Sequence, residues 1–272
     1  MKKIFSLTCV LLAGVSAWAV NNNVNEDGDE SGTTTTSAPA NVEAVDLGLP
    51  SGVKWASCNV GAEAPEEYGN LYAWGEVMTK TDYTWETYKH AKGSNKTFTK
   101  YCDDSSCGND GFTDNKDTLD LEDDAAHVNW GGAWRMPTQT ECQELLDNCT
   151  VTRTKQNGVN GYLLTSKNNS NSIFLPTLKS GTSAGYYWSS SLRTNYWAFS
   201  AWHLYLDYEY KVDGSNRKNG YSVRPVCSPS SSPATAVENS TITTTPTKVL
   251  RNGQVYILRG DKTYTMTGVE MK

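Results

Sequence analysis

The chain has 272 residues, a formal net charge of −6 and a hydrophobic share of 38%, which suits one domain with tails. Its acidity, with the basic residues scattered, speaks against nucleic acid or an anionic membrane surface as a partner, since both repel a negative chain. No stretch after the N-terminus approaches the roughly 20 apolar residues that span a bilayer, so no transmembrane segment is expected.

Lys2 and Lys3 precede an apolar run over 4–15 and a small-x-small site at Ala17-Trp18-Ala19. That order reads as a signal peptide over 1–19, placing the chain outside the cell or at its surface, with the periplasm as the alternative. Thr8 before Cys9, inside the apolar run, speaks against a lipid anchor. Residues 20–41 hold Asn, acidic residues and a threonine run, and read as a flexible leader. Of the 7 cysteines, loss of Cys9 leaves an even set: Cys58, Cys102, Cys107, Cys142, Cys149 and Cys227. In an exported chain an even set fits disulfides, whose connectivity sequence does not give. A zinc site at Cys102 and Cys107 lacks a second close Cys/His pair.

The folded domain is expected over 42–228. Residues 46–52 read as a strand entering a turn, 53–56 as a strand, 63–68 as a turn and 71–74 as a strand. From 78 to 124 the apolar periodicity disappears into a long irregular region. Thr138 and Glu141 form a capping box for a helix ending near Asn148, with Leu145 and Leu146 on its apolar side. Strands are expected at 161–166, 172–175 and 187–190, with a Gly-containing turn at 180–185. Alternation over 198–210 predicts one strand, and 220–226 closes the sheet. A Ser/Thr/Pro linker covers 229–247, and 248–272 spells strand, turn, strand. The class is α+β, built of short antiparallel strands with one clear helix and long irregular loops.

Certain motifs recur in order along the chain: Val45-Asp46-Leu47-Gly48-Leu49-Pro50, Lys54-Trp55-Ala56, Tyr72-Ala73-Trp74-Gly75-Glu76, Trp134-Arg135-Met136-Pro137-Thr138, Ile173-Phe174-Leu175-Pro176, Tyr187-Trp188-Ser189-Ser190-Ser191 and Tyr221-Ser222-Val223-Arg224-Pro225-Val226. Together they resemble the Fibrobacter-type major paralogous domain, a relative of the C-type-lectin-like fold that also includes formylglycine-generating enzymes. The resemblance covers about 45–227 and implies a C-type-lectin-like domain whose function lies in its loops. Trp55, Trp74, Trp134, Pro137, Trp188 and Arg224 would be its framework. Within it the preferred bridges are Cys102–Cys107, Cys58–Cys149 and Cys142–Cys227, the last tying helix to closing strand as lectin-like domains often do. The copper-binding cysteine pair of the formylglycine-generating enzymes has no counterpart here. The segment 248–272 resembles the end of a type IX secretion sorting domain, which implies contact with secretion machinery; a strand pair packing on the main domain is the alternative.

Two segments could carry function. Asp114, Asp117, Asp120, Glu122, Asp123 and Asp124 crowd one loop, where clustered carboxylates need solvent or a cation, so a structural calcium is one reading. The plainer one has Asp123 and Asp124 capping the chain before Trp130. The sugar-binding elements of C-type lectins, Glu-Pro-Asn, Gln-Pro-Asp and Trp-Asn-Asp, are absent, as is an EF-hand loop. The 3 histidines, His90, His127 and His203, lie near no nucleophile motif, and His203 reads as a solvated loop residue.

The second segment is aromatic, from Tyr186 to Tyr210, and resembles the variable region of retroelement-diversified ligand-binding proteins. Amphipathic rings suit protein surfaces and sugar faces. On a strand, Phe199, Ala201, His203 and Tyr205 face opposite to Ser200, Trp202, Leu204 and Leu206. The ligand-binding candidates are Tyr186, Tyr187, Arg193, Asn195, Tyr196, Trp197, Trp202, Asn216 and Arg217, the last two in a loop at 213–218. The reading is an exported, non-enzymatic module that binds a protein or glycan at the bacterial cell surface, with no catalytic, metal or cofactor residues assigned. A structural subunit of a surface assembly and an enzyme akin to the formylglycine-generating group are the alternatives.

Overall fold

In this computed structural model the described residues are 37–179, 181, 183–194 and 198–228, with the backbone of four strands between 247 and 271. The expected signal peptide, leader residues 20–36, Asn195, Tyr196, Trp197 and linker residues 229–246 lie outside them. In chain order the strands and helices are β1 (Ala44–Val45), β2 (Lys54–Ala56), β3 (Leu71–Tyr72), α1 (Ala125–Trp130), β4 (Trp134–Arg135), α2 (Gln139–Asn148), β5 (Cys149–Gln156) and β6 (Val159–Ser166). Then come β7 (Ser172–Pro176), β8 (Gly185–Leu192), β9 (Ser200–Leu206), β10 (Tyr210–Asn216), β11 (Tyr221–Ser222) and β12 (Val226–Cys227). The strands β13 (Thr247–Arg251), β14 (Gln254–Arg259), β15 (Lys262–Thr265) and β16 (Glu270–Met271) follow. The sheets run β1-β2-β12-β4, β10-β9-β8-β11-β3 and β5-β6-β7, and the C-terminal strands form a fourth in chain order. Pairing is antiparallel apart from β8 with β11. With two α-helices among the described residues, the class is α+β or mostly β.

Local chemistry explains several boundaries. Thr138 accepts from the Glu141 N–H while the Glu141 carboxylate accepts from the Thr138 N–H, so α2 starts and ends where its capping box and length predict. Asp124 accepts from Ala126 and His127 N–H and starts α1, a short helix the apolar pattern did not announce. β5 was also unannounced: its Thr-, Arg- and Lys-rich residues are mostly exposed, and register with β6 holds it in place. Its hairpin turns at Asn157-Gly158, both at positive φ (47° and 84°), as a tight two-residue turn requires. The single strand expected over 198–210 is instead the arm of a hairpin, β9 and β10, so the loop expected at 213–218 is mostly strand. The tail forms four strands where two were expected.

The motifs interlock. The Trp74 indole donates to the Ser189 carbonyl at 2.8 Å, and the Trp188 indole donates to the Tyr72 carbonyl at 2.8 Å, so two distant motifs hold each other. Val226 pairs with Trp55 on one side and Arg135 on the other, and Arg135 grips Glu141 with both guanidinium ends. Arg224 is fully buried and donates to Asn59, Ala56 and Phe174. The irregular segment 78–124 has a core of its own, in which Tyr88, Phe98 and Cys102 pack with Ala73 and Ala198.

The cysteine expectation is corrected. All six described cysteines are free, so none of the three preferred bridges is present. Cys58 and Cys149 belong to different core clusters, each packed among apolar side chains. The Cys142 thiol is buried in α2, and burial raises its pKa. Cys102 and Cys107 both turn to Asp104, the first donating to its carbonyl at 3.1 Å and the second contacting its carboxylate at 3.9 Å.

Candidate functional site

The alternation of β9 sorts its residues onto two faces. Leu204 and Leu206 pack inward with Tyr187, Cys142 and Leu145. His203 and Tyr205 point the other way, and β10 sets Asp213 opposite His203 and Lys211 opposite Tyr205. On the other flank β8 brings Tyr186 opposite Tyr205, and β11 adds Tyr221. Four segments thereby line one depression of about 250 Å³ with Tyr186, His203, Tyr205, Tyr208, Lys211, Asp213, Ser215 and Tyr221.

Its floor is an aromatic stack. Tyr186 lies on Tyr221 with centroids 4.7 Å apart and on His203 at 5.7 Å, and Tyr205 tilts against it at 5.2 Å. Tyr208, 80% exposed in the β9–β10 turn, meets Tyr205 edge-on at 6.1 Å. The Tyr221 hydroxyl is held by Ser215 at 2.8 Å and by the Asn219 amide at 3.3 Å.

The charged groups of the rim offset one another. Lys211 Nζ is 3.1 Å from Glu209 and 3.2 Å from Asp213, and lies 5.7 Å from the Tyr205 ring centre. His203 is 4% exposed; burial pushes its pKa down to about 4, so it is neutral near pH 7. Burial raises the Tyr186 and Tyr205 phenols, which stay protonated and able to donate. Burial alone would raise Asp213, but the Gly214 N–H and Lys211 outweigh it and lower it. The pocket can hold a small polar molecule against ring faces.

The sequence candidates scatter around this pocket. Tyr186 lines it. Tyr187 is buried, its hydroxyl donating to the Pro176 carbonyl. Trp202 is half-buried on the opposite side of β9, under the Arg193 guanidinium at 4.9 Å, and Gly214, its register partner, leaves the room that Arg193 fills. Asn216 is exposed at the end of β10. Arg217 is the clearest correction: it is 0% exposed, with its guanidinium 3.8 Å from the Phe98 ring centre, so it is no surface ligand group. Asn195, Tyr196 and Trp197 lie outside the described residues. His203 lies on the strand whose alternation was read from the sequence, but it is buried and not the solvated histidine expected. Of the other lining residues, Tyr205 and Tyr208 fall in the aromatic segment and Asp213 in the loop that the sequence singled out, although none of the three was among the individual candidates; Lys211 and Tyr221 were given no binding role.

The acidic loop has its cation within the chain. Asp120, Glu122 and Asp123 offer oxygens within 4.8 Å of one another. Lys100 Nζ sits among them, at 2.8, 2.8 and 2.7 Å. Burial would lower the Lys100 pKa, but Asp120, Asp123 and Glu122 together raise it. Asp123 also accepts from Lys89 and Tyr101, and Asp124 caps α1, the plainer of the two sequence readings. Burial works to raise Asp123, yet Lys100, Lys89 and Tyr101 prevail and hold it at about 2. A folded pKa below the unfolded value of about 3.9 stabilises fully above that pH and is lost as pH falls through about 2. Urea unfolding from pH 5 to 2 should therefore show the gap between wild type and Asp123→Asn shrinking by about 2 kcal/mol. A gap independent of pH would refute the assignment.

No helix among the described residues is long and apolar enough to cross a membrane. Comparison of the chain with protein-family models, curated proteins and solved structures finds no match.

Proposed function

We propose that the chain is an exported, non-enzymatic binding module of C-type-lectin-like fold that presents the tyrosine pocket to a protein or glycan ligand at the cell surface. The observation that carries the reading is the convergence of Tyr186, Tyr205, Tyr208 and Tyr221 from separate segments onto one open face. Rigid rings with polar ends give contact area at little entropic cost, and here the strands fix them. The lectin-like assignment is supported by the motif order, the short antiparallel strands and the long irregular segment at 78–124. The C-terminal strands are read with it as a sorting signal.

Full-length protein on arrays of glycans and of surface proteins tests this, with Tyr208→Ala as the control. The substitution removes an exposed ring, so melting should be unchanged while binding falls about tenfold, near the 1–2 kcal/mol of a contact aromatic. An array without a ligand, or equal binding by the variant, would sink the proposal.

A further inference from the structure

Resting on that binding-module reading, we infer that the pocket is a subsite for one neutral sugar residue, gripped through a vicinal diol by Lys211 and Asp213 without a metal ion. Charge decides against other small ligands. Lys211 is shared by Glu209 and Asp213 at 3.1 and 3.2 Å, and Arg193 lies 4.0 Å from Asp213. An anionic ligand would have to displace two carboxylates from Lys211. A cationic one would meet the Lys211 ammonium already beside the Tyr205 ring, at 5.7 Å.

What the pocket offers is a donor and an acceptor 3.2 Å apart with little net charge. Two adjacent ring hydroxyls match that pair: one donates to the Asp213 carboxylate while its neighbour accepts from the Lys211 ammonium. Such charge-assisted bonds are stronger than those between neutral groups. The C–H face of the same sugar can lie against one of Tyr205 and Tyr208, whose rings stand at 78° to each other, while the second ring closes its edge. A depression of about 250 Å³ falls below the roughly 300–1,000 Å³ of sites for larger small molecules, which limits the occupant to about one ring.

The test is saturation-transfer NMR and calorimetry on the full chain in EDTA. The probes are methyl glycosides of glucose, galactose and mannose, their O-methylated forms, methyl glucuronoside and trimethyl-lysine. The expected result is that at least one neutral glycoside binds in EDTA, that methylating its diol abolishes binding, and that Asp213→Asn and Lys211→Met each weaken it at least tenfold. Binding only of the uronate or the trimethylammonium probe, a calcium requirement, no binding of any neutral glycoside, or full binding by Asp213→Asn would overturn the inference. The two proposals fail differently. An array ligand lost in Tyr208→Ala but kept in Asp213→Asn and Lys211→Met leaves the module standing and removes the diol subsite. An array with no ligand removes both.

Discussion

Replacing Arg217 with alanine is expected to destabilise the domain by about 3–5 kcal/mol, the range for emptying a large buried side-chain site and leaving a buried acceptor unpaired. The side chain is fully buried, with its guanidinium 3.8 Å from the Phe98 ring centre and 5.4 Å from those of Trp74 and Tyr88. One terminal nitrogen donates to the Tyr101 carbonyl at 2.6 Å, and burial lowers the guanidinium pKa. Arg217 therefore joins β10 and its following turn to the irregular segment and its small aromatic core. Alanine would leave a cavity between three rings and an unpaired carbonyl. Hydrogen exchange should then rise first across 83–107, ahead of the sheets.

Methionine at the same position should be milder, losing about 1–2 kcal/mol, because it restores volume among the rings and forfeits mainly one strong hydrogen bond. Lysine should fall nearer to alanine, since a compact ammonium cannot stack as the planar guanidinium does. Denaturant unfolding of the three variants, with exchange measured on each, gives the order. Methionine as damaging as alanine would show that the charge, and not the filled volume, holds the segment.

These contacts explain why Arg217 was misread. It stands in the polar run Ser215-Asn216-Arg217-Lys218-Asn219, which looks like a solvated loop. Its burial is decided by Phe98, Trp74 and Tyr88, more than a hundred residues earlier, and no local pattern encodes that. By contrast the Thr138–Glu141 box was legible because both its hydrogen bonds close within one turn. Trp55, Trp74 and Trp188 were expected as framework from the ordered motifs and the resemblance they carry, and all three are fully buried. β5 stayed hidden because a strand exposed along most of its length shows little apolar alternation. At the site, Tyr186 was readable as an aromatic on a strand flank. Lys211 was not, and Asp213 was read as the start of a loop instead of a strand residue, because their position depends on where β9 turns into β10. The cysteine count suggested bridges, but pairing depends on three-dimensional proximity, and these thiols are distributed between cores.

Arg224→Ala should be at least as damaging as Arg217→Ala, and replacement by methionine should not soften it. The Arg224 guanidinium donates through Nε to Asn59 Oδ1 at 2.8 Å, through Nη1 to the Ala56 carbonyl at 3.0 Å and through Nη2 to the Phe174 carbonyl at 2.9 Å. Burial pushes its pKa down to about 10, still above neutrality, so the charge is kept. Among the described residues no carboxylate forms an ion pair with it, so its stabilisation comes from fixed oxygens of two sheets and a turn. Substitution strands three buried acceptors, each worth about 1–3 kcal/mol when left unpaired, for a loss of about 3–6 kcal/mol. Two of the three are backbone carbonyls that no compensating mutation can remove. A methionine fills the volume but donates nothing, and a lysine, with donors from a single point, cannot span three acceptors in a planar fork. The expected outcome is therefore a steep loss for alanine, methionine and lysine alike, read as a collapse of the unfolding midpoint or of soluble yield. Should Arg224→Met unfold within about 1 kcal/mol of wild type, buried water or rearranged strands must be supplying those donors. The contrast with the milder Arg217→Met would then disappear, and the two buried arginines would share one role: filling space.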